Sequence, residues 1–148
     1  DMSDCVFCSI VAKKSPAKIL YEDDQVIVIE DIHPVAPVHL LIISRKHIPS
    51  LNELQPEDSP LLSHMLLTAR KIAREVIGED AAYRTVINTG SAAGQTVFHL
   101  HLHLITGRPF VSGLFTRGLN DEAVWSLDSA GKCRADAYGM RQPRAANR

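Results

Sequence analysis

Polar and apolar positions change period several times along the chain, and each change marks an element. Cys5 to Ala12 puts Phe7, Ile10 and Val11 on the inward side of a short helix, which Ser15-Pro16 breaks. Two strands follow, Lys18–Tyr21 and Gln25–Glu30, joined by the turn Glu22-Asp23-Asp24 as a hairpin. Asp31–Pro37 is a connecting loop, because each proline restricts the residue before it. His39–Ile43 is a continuous apolar run, the pattern of a central strand, and Arg45–Pro49 ends it. Ser59-Pro60 fits a helix N-cap followed by proline at the first helical position. Leu62, Met65, Leu66, Ala69, Ile72, Ala73 and Val76 then mark one face of a long helix, and Gly78 is its stop. His64 reads as a surface residue of that helix. Tyr83–Asn88 is a further strand. These elements predict an α+β domain: an antiparallel sheet with one long helix and a short N-terminal helix.

The strictest pattern is Phe98-His99-Leu100-His101-Leu102-His103-Leu104-Ile105. Alternation is the period of a strand, so the imidazoles share one face and next-but-one neighbours lie roughly 6–7 Å apart. Solvated sheet faces ordinarily use Thr, Lys, Glu and Ser. Three histidines in a row, out of seven in the chain, point instead to a line of nitrogen bases. Such a line can bind phosphate, hold a metal or attack an electrophile.

Composition narrows the partners. With 16 basic and 17 acidic residues in 148, no broad field favours nucleic acid or an anionic membrane. Phosphate binding must therefore be local. No apolar run approaches membrane-spanning length, and Asp1-Met2-Ser3-Asp4 has no signal-peptide character. Three cysteines do not make a secreted disulfide framework, so a cytoplasmic setting is expected. Residues 120–148 show no sustained period and carry five basic and four acidic residues, and read as a weakly ordered or accessory extension.

Two short motifs add chemistry. Gly94-Gln95-Thr96 precedes the histidine strand, where backbone amides can approach an anion closely; alone it reads as an ordinary turn. Asn88 can add an amide donor, although by itself it reads as a turn residue. Cys5-Val-Phe-Cys8 has the spacing of half a zinc site, and reads equally as a packed helix start with two free thiols. Cys133 has no visible partner.

His99-Leu-His101-Leu-His103-Leu-Ile105 resembles the signature of the histidine triad (HIT) superfamily. Gly94–Phe98, Asp31–His39 and the Tyr21–Asp24 turn strengthen the resemblance, and Gly107-Arg108-Pro109 with Gly118-Leu119 is similar to the bacterial Hint branch. It covers a domain of residues 4–119. It implies a homodimer and a purine nucleoside phosphoramidase, which splits the P–N bond of adenosine 5′-phosphoramidates through a nucleotidyl-histidine. His101 would be the nucleophile, with His99 and His103 orienting it and binding phosphate. Gly94, Gln95, Thr96 and Asn88 would stabilise the phosphate, Asp31 would hold the ribose, and Ile32 would line the base pocket or serve as core. His47 matches a histidine near the phosphate site in many members. The chemistry implied needs no cofactor. Some bacterial members bind a structural zinc at residues matching Cys5, Cys8, His47 and His99. A dinucleoside polyphosphate hydrolase of the same superfamily and a non-catalytic nucleotide- or zinc-binding interaction module are the alternatives. Against the first, that branch has Pro-Arg soon after the triad, where this chain has Thr106-Gly107-Arg108.

Overall fold

The computed structural model describes residues 4–107, with the short segments 125–127 and 133–135. The chain divides into two units, Asp1–Arg108 and Pro109–Arg148. In the first, strands Ile19–Glu22 (β1), Val26–Glu30 (β2), Val38–Ser44 (β3), Arg84–Val86 (β4) and His101–Thr106 (β5) form one sheet. Its order is β1-β2-β3-β5-β4 and every pairing is antiparallel. The β1–β2 turn closes on Asp23, whose Oδ1 accepts from the amides of Gln25 (2.8 Å) and Val26 (2.9 Å).

Alternation along the strands sorts two cores. Val26, Val28, Leu40, Ile42, Leu102 and Leu104 face the long helix Ser59–Val76 (α2) and meet its Met65, Ala69, Ile72 and Ala73. Ile27, Ile29, Leu41 and Ile43 face the other way and are covered by Phe7 and Ile10 of the short helix Val6–Val11 (α1). Burying each such side chain contributes about 1.5–3 kcal/mol, so the central strands are a firm backing for whatever they carry.

The helix differs from expectation in three ways. A 3-10 turn, Pro56–Asp58, precedes it and Asp58 is its N-cap; Ser59 is the first helical residue, and its hydroxyl donates to Pro56 O (2.8 Å). Leu66 and Val76, assigned inward, are each 47% exposed, while Thr68 is buried. The sheet covers a narrower stripe than the run of apolar residues supplies. His64 is not a free surface residue: its Nε2 lies 2.6 Å from Asp23 Oδ2, tying α2 to the hairpin turn. Gly78 does follow the helix, with φ +145°, a backbone that side chains with a Cβ rarely adopt.

In the second unit Trp125–Leu127 (β6) and Cys133–Ala135 (β7) pair as an antiparallel ribbon. Strands of three residues are too short for a period to register in sequence. The motif residues Arg108-Pro109 and Gly118-Leu119 lie outside the described residues. Among the described residues, no helix is long and apolar enough to cross a membrane.

Candidate active site and thiol–imidazole cluster

The sheet face under α1 carries the histidines. In the β3–β5 ladder His101 stands opposite Ile43, His103 opposite Leu41 and His39 opposite Ile105, so these three share that face. His99 lies just before the strand rather than in it. There the chain leaves the ladder: the Leu100 amide donates to Ile48 O (2.7 Å), and Leu100 O accepts from the Ser44 amide (3.2 Å). Phe7 of α1 presents its ring edge-on to both His99 and His101, with centroids 5.9 and 5.0 Å away.

Partners fix the protons on the ring nitrogens. A carbonyl only accepts, so His101 Nδ1 carries its proton toward His99 O at 2.6 Å, leaving the Nε2 lone pair free. The Val35 amide donates to His39 Nδ1 (3.2 Å), which places the His39 proton on Nε2. That nitrogen faces His103 Nδ1 at 2.9 Å and Asp31 Oδ2 at 3.3 Å. His103 Nδ1 therefore accepts, and His103 keeps a donor at Nε2. The His101 and His103 rings are 5.1 Å apart, so a bare base stands beside a fixed donor. Asp31, His39 and His103 also bring three ligand-type atoms within 4.8 Å of one another. The proton on His39 Nε2 makes this a hydrogen-bonded relay and not a cation cage.

Burial keeps these rings neutral. It pushes His101 and His39 below the ordinary imidazole value, against the pull of Asp31 and, for His101, of the His99 carbonyl bond. His103 is lowered further, to about 4, by burial and then by His101 and His39.

At the other end of the row four ligand-type atoms converge. Cys5 Sγ lies 3.3 Å and Cys8 Sγ 3.5 Å from His99 Nδ1. His47 Nδ1 lies 3.2 Å from Cys8 Sγ and 3.1 Å from His99 Nδ1. Tetrahedral zinc bonded at about 2.3 Å to sulfur and 2.0–2.1 Å to nitrogen sets ligand separations of roughly 3.3–3.8 Å. The four separations run from 3.1 to 3.5 Å, at or just below that range, and all four donor atoms lie within 4.8 Å of one another, so they can close on one ion. His99 Nε2 donates to Ser44 O, so the lone pair on Nδ1 is aimed at the thiols, the arrangement a metal ligand requires. His99 is fully buried, with both ring nitrogens engaged. What it offers the active face is its backbone carbonyl.

The loop before β5 is held from inside. Gln95 is buried; its Oε1 accepts from the Gly90 amide (2.9 Å), and its Nε2 donates to Pro49 O (2.7 Å) and Val97 O (3.1 Å). Its side chain is thus a clasp, and its backbone amide is spent as well, donating to Gly90 O (3.1 Å). The Gly94 amide donates to Ser91 O (3.0 Å), so the turn closes on itself and neither is the free phosphate donor expected from the sequence. Gly94 has φ +95°, and a Cβ there would come within 3.9 Å of the Asn88 amide group. Asn88 therefore lies against the loop, beyond the end of β4. Ile32, which the sequence leaves as either pocket or core, is 83% exposed on the loop after Asp31 and is not core. Sequence reasoning missed two parts of this site. One is His39, whose facing toward His103 depends on strand register. The other is Ser44, which acts through a carbonyl that any residue could supply.

The sequence profile described as the scavenger mRNA decapping enzyme C-terminal binding family matches residues 4–113. The chain belongs to the histidine triad superfamily. Among HIT relatives, an uncharacterized HIT-like protein of Synechocystis sp. is 48% identical over 107 residues, covering 72% of this chain and 93% of the relative. Protein HitA of Neisseria gonorrhoeae is 45% identical over 104 residues, covering 70% and 96%. A HIT family hydrolase of Legionella pneumophila superposes with TM-score 0.70 at 42% identity, covering 72% of this chain and 95% of that one. A histidine triad protein of Mycobacterium smegmatis, whose structure is described as Zn-bound, gives 0.63 at 35% identity, covering 74% and 79%. The α+β architecture is thus the HIT fold, and its solved neighbours include hydrolases.

Proposed function

We propose that this HIT protein hydrolyses purine nucleoside 5′-phosphoramidates through a nucleotidyl-His101 intermediate. The observation that carries the reading is the His101 Nδ1 bond to His99 O, which leaves Nε2 unprotonated and directed as a nucleophile. Nε2 attacks the α-phosphorus, a P–N bond to His101 forms, and the substrate P–N bond breaks as the departing nitrogen takes up a proton. Water then attacks the same phosphorus, releasing the nucleoside monophosphate and restoring His101. His103 Nε2–H, the Thr96 amide and Asn88 donate to phosphate oxygens as charge builds. Asp31 keeps lone pairs for the ribose hydroxyls beside its bond from the His33 amide (2.8 Å). Ile32 offers an exposed apolar platform to the base.

The same reading gives Cys5, Cys8, His47 and His99 a structural zinc ion, supported by the donor separations and by the His99–Ser44 contact. Ligand thiols of this kind suit a reducing compartment, the cytoplasm. The chain pairs as a homodimer through the exposed apolar residues Leu66 and Ile77 and the edge strand β4, a surface that light scattering in solution tests directly.

The deciding experiment combines turnover and trapping. Adenosine 5′-phosphoramidate should be cleaved by the wild type, and mass spectrometry of quenched enzyme should find the adenylyl group on His101. His101→Ala should lose on the order of 10⁴-fold in kcat, the scale seen when a nucleophile is removed. Wild-type-like turnover in that variant would sink the assignment. Faster cleavage of diadenosine polyphosphate would move the protein to the polyphosphate hydrolases.

A further inference from the structure

The helix α1 brings two thiols and the cover of the active face into one turn. Cys5 is its N-cap and Cys8 its third residue, and the Cys8 amide donates to Cys5 Sγ at 3.4 Å. Positions three apart in a helical turn share a side. Both sulfurs reach the same atom, His99 Nδ1, at 3.3 and 3.5 Å. The cysteines are only half-buried, whereas His99 is closed to solvent. A groove of about 440 Å³ runs along Cys5 and His47 and is lined also by Thr96, Val97 and Phe98, so a small solute entering it meets Cys5. Between the two cysteines stands Phe7, whose ring edge faces His101 at 5.0 Å. His99 in turn holds His101 Nδ1 through its carbonyl. The thiols therefore touch both supports of the nucleophile: the turn that carries Phe7 and the ring of His99.

We propose that Cys5 and Cys8 are an oxidisable pair, which a peroxide converts to a disulfide, discharging the zinc ion and disabling His101. The inference rests on the zinc reading of the cluster. The Cys5 thiolate attacks one peroxide oxygen; the O–O bond breaks, hydroxide leaves and Cys5 becomes a sulfenic acid. The Cys8 thiolate attacks that sulfur; the S–O bond breaks, a second hydroxide leaves and the S–S bond forms. The thiolates lose two electrons, the peroxide gains them, and each hydroxide becomes water by taking a proton from solvent. The sulfurs close from within 4.8 Å to about 2.0 Å, a movement that side-chain rotation within one turn spans. The cluster then retains only His47 and His99, too few ligands for a tetrahedral ion. His99 Nδ1 is left facing uncharged sulfur, and the turn carrying Phe7 is drawn tighter. A dithiol reductant reverses the step by exchange.

The test uses the full-length protein, purified reduced and without chelators. Hydrogen peroxide is added in small excess. Zinc release is read with a colorimetric chelator, and the Cys5–Cys8 bond by peptide mapping, which separates it from any bond to Cys133. Turnover of adenosine 5′-phosphoramidate is followed alongside. About one equivalent of zinc per chain should leave in step with the disulfide, and kcat should fall about 10–100-fold, the scale for groups that support a ligand. Dithiothreitol with added zinc should restore both. Cys5→His keeps a nitrogen ligand but leaves Cys8 without a partner thiol, and should hold its zinc through the same treatment. Zinc release from that variant would place the oxidation elsewhere and overturn the pair. So would wild-type protein that keeps its zinc and both free thiols, or that carries Cys5 as a sulfinic acid with no disulfide. A disulfide and zinc loss with unchanged kcat would overturn the link to His101. Absence of any turnover by the reduced protein overturns the phosphoramidase reading and that link, while zinc and disulfide still decide the pair. Reduced wild type without zinc overturns the zinc reading itself, and the inference falls with it.

Discussion

The two ends of the histidine row use the same side chain for opposite purposes. At one end His39 donates to His103 and His101 donates to the His99 carbonyl, so that each of these rings has one nitrogen's state fixed by a neighbour. At the other end His99 and His47 turn Nδ1 inward to the thiols of Cys5 and Cys8. The difference lies in the second nitrogen of each ring. His101 gives its Nδ1 proton to a carbonyl and exposes Nε2; His99 gives its Nε2 proton to Ser44 O and aims Nδ1 at sulfur. His99 joins the halves, because its carbonyl orients the nucleophile while its ring belongs to the cluster. The lesson is that a triad of identical residues is read correctly only through the partners of each ring.

Breaking the thiol end is expected to have the largest effect. Cys5→Ser with Cys8→Ser should abolish stoichiometric zinc in protein purified without chelators. It should lower Tm by roughly 10 °C, the scale of about 3–4 kcal/mol in a chain this long. Loss of the cluster also loosens His99, so kcat should fall more than KM rises. Full zinc content in the double variant would separate the cysteines from the metal.

The relay end is tested next. His39→Ala removes the donor that holds His103 Nδ1 as an acceptor, so the His103 proton is no longer confined to Nε2. Supporting groups of this kind are worth about 10–100-fold in activity. The loss should fall on kcat, with zinc content unchanged, because His39 lies outside the four-donor cluster. A variant that loses zinc as well would dissolve the division between the two ends.

How much of this is legible in the sequence follows from what each feature depends on. The alternation at Phe98–Ile105 depends only on local period, and it placed His101 and His103 on one face. His99 shares that face by period too, yet it sits outside the strand because Leu100 pairs with Ile48, a partner 52 residues away. His39 stood in plain view at the head of an apolar run, but its role needs the β3–β5 register, which no local pattern contains. The Asp23–His64 contact was lost for the same reason, since it crosses from a hairpin turn to a helix. The Cys-x₂-Cys spacing showed half of a ligand set; its closure by His47 and His99 came from family resemblance. The second unit offered too short a pattern to read.

A pH titration sharpens the contrast at intermediate size. His39, His101 and His103 have folded pKa values below the unfolded imidazole value, so between the two the unfolded chain binds more protons. Stability is then full above about pH 6.5 and is lost as pH falls toward about 4, where His103 titrates. Urea unfolding between pH 7 and 4 measures it. The acid limb of kcat/KM should likewise lie below the ordinary imidazole value, since neutral His101 is the attacking form. An acid limb above that value would mean that burial does not govern the nucleophile.

The smallest expected effect falls on the residue that touches both ends. Phe7 sets its ring edge against His101 at 82° and against His99 at 79°, and it is buried with Ile10 over the central strands. Phe7→Leu keeps an apolar cover of nearly the same reach but removes both edge contacts. Aromatic pairs of this kind contribute about 0.5–1.5 kcal/mol beyond burial, so unfolding free energy should drop by roughly 1 kcal/mol. Water reaching His101 through the thinner cover would relieve its desolvation, and the acid limb of kcat/KM should move up toward the ordinary imidazole value. Zinc content should not change, because His99 remains fixed by Ser44 O and the thiols. An unchanged pH profile with reduced stability would make Phe7 a packing residue alone, and would leave the two ends joined only through the His99 carbonyl.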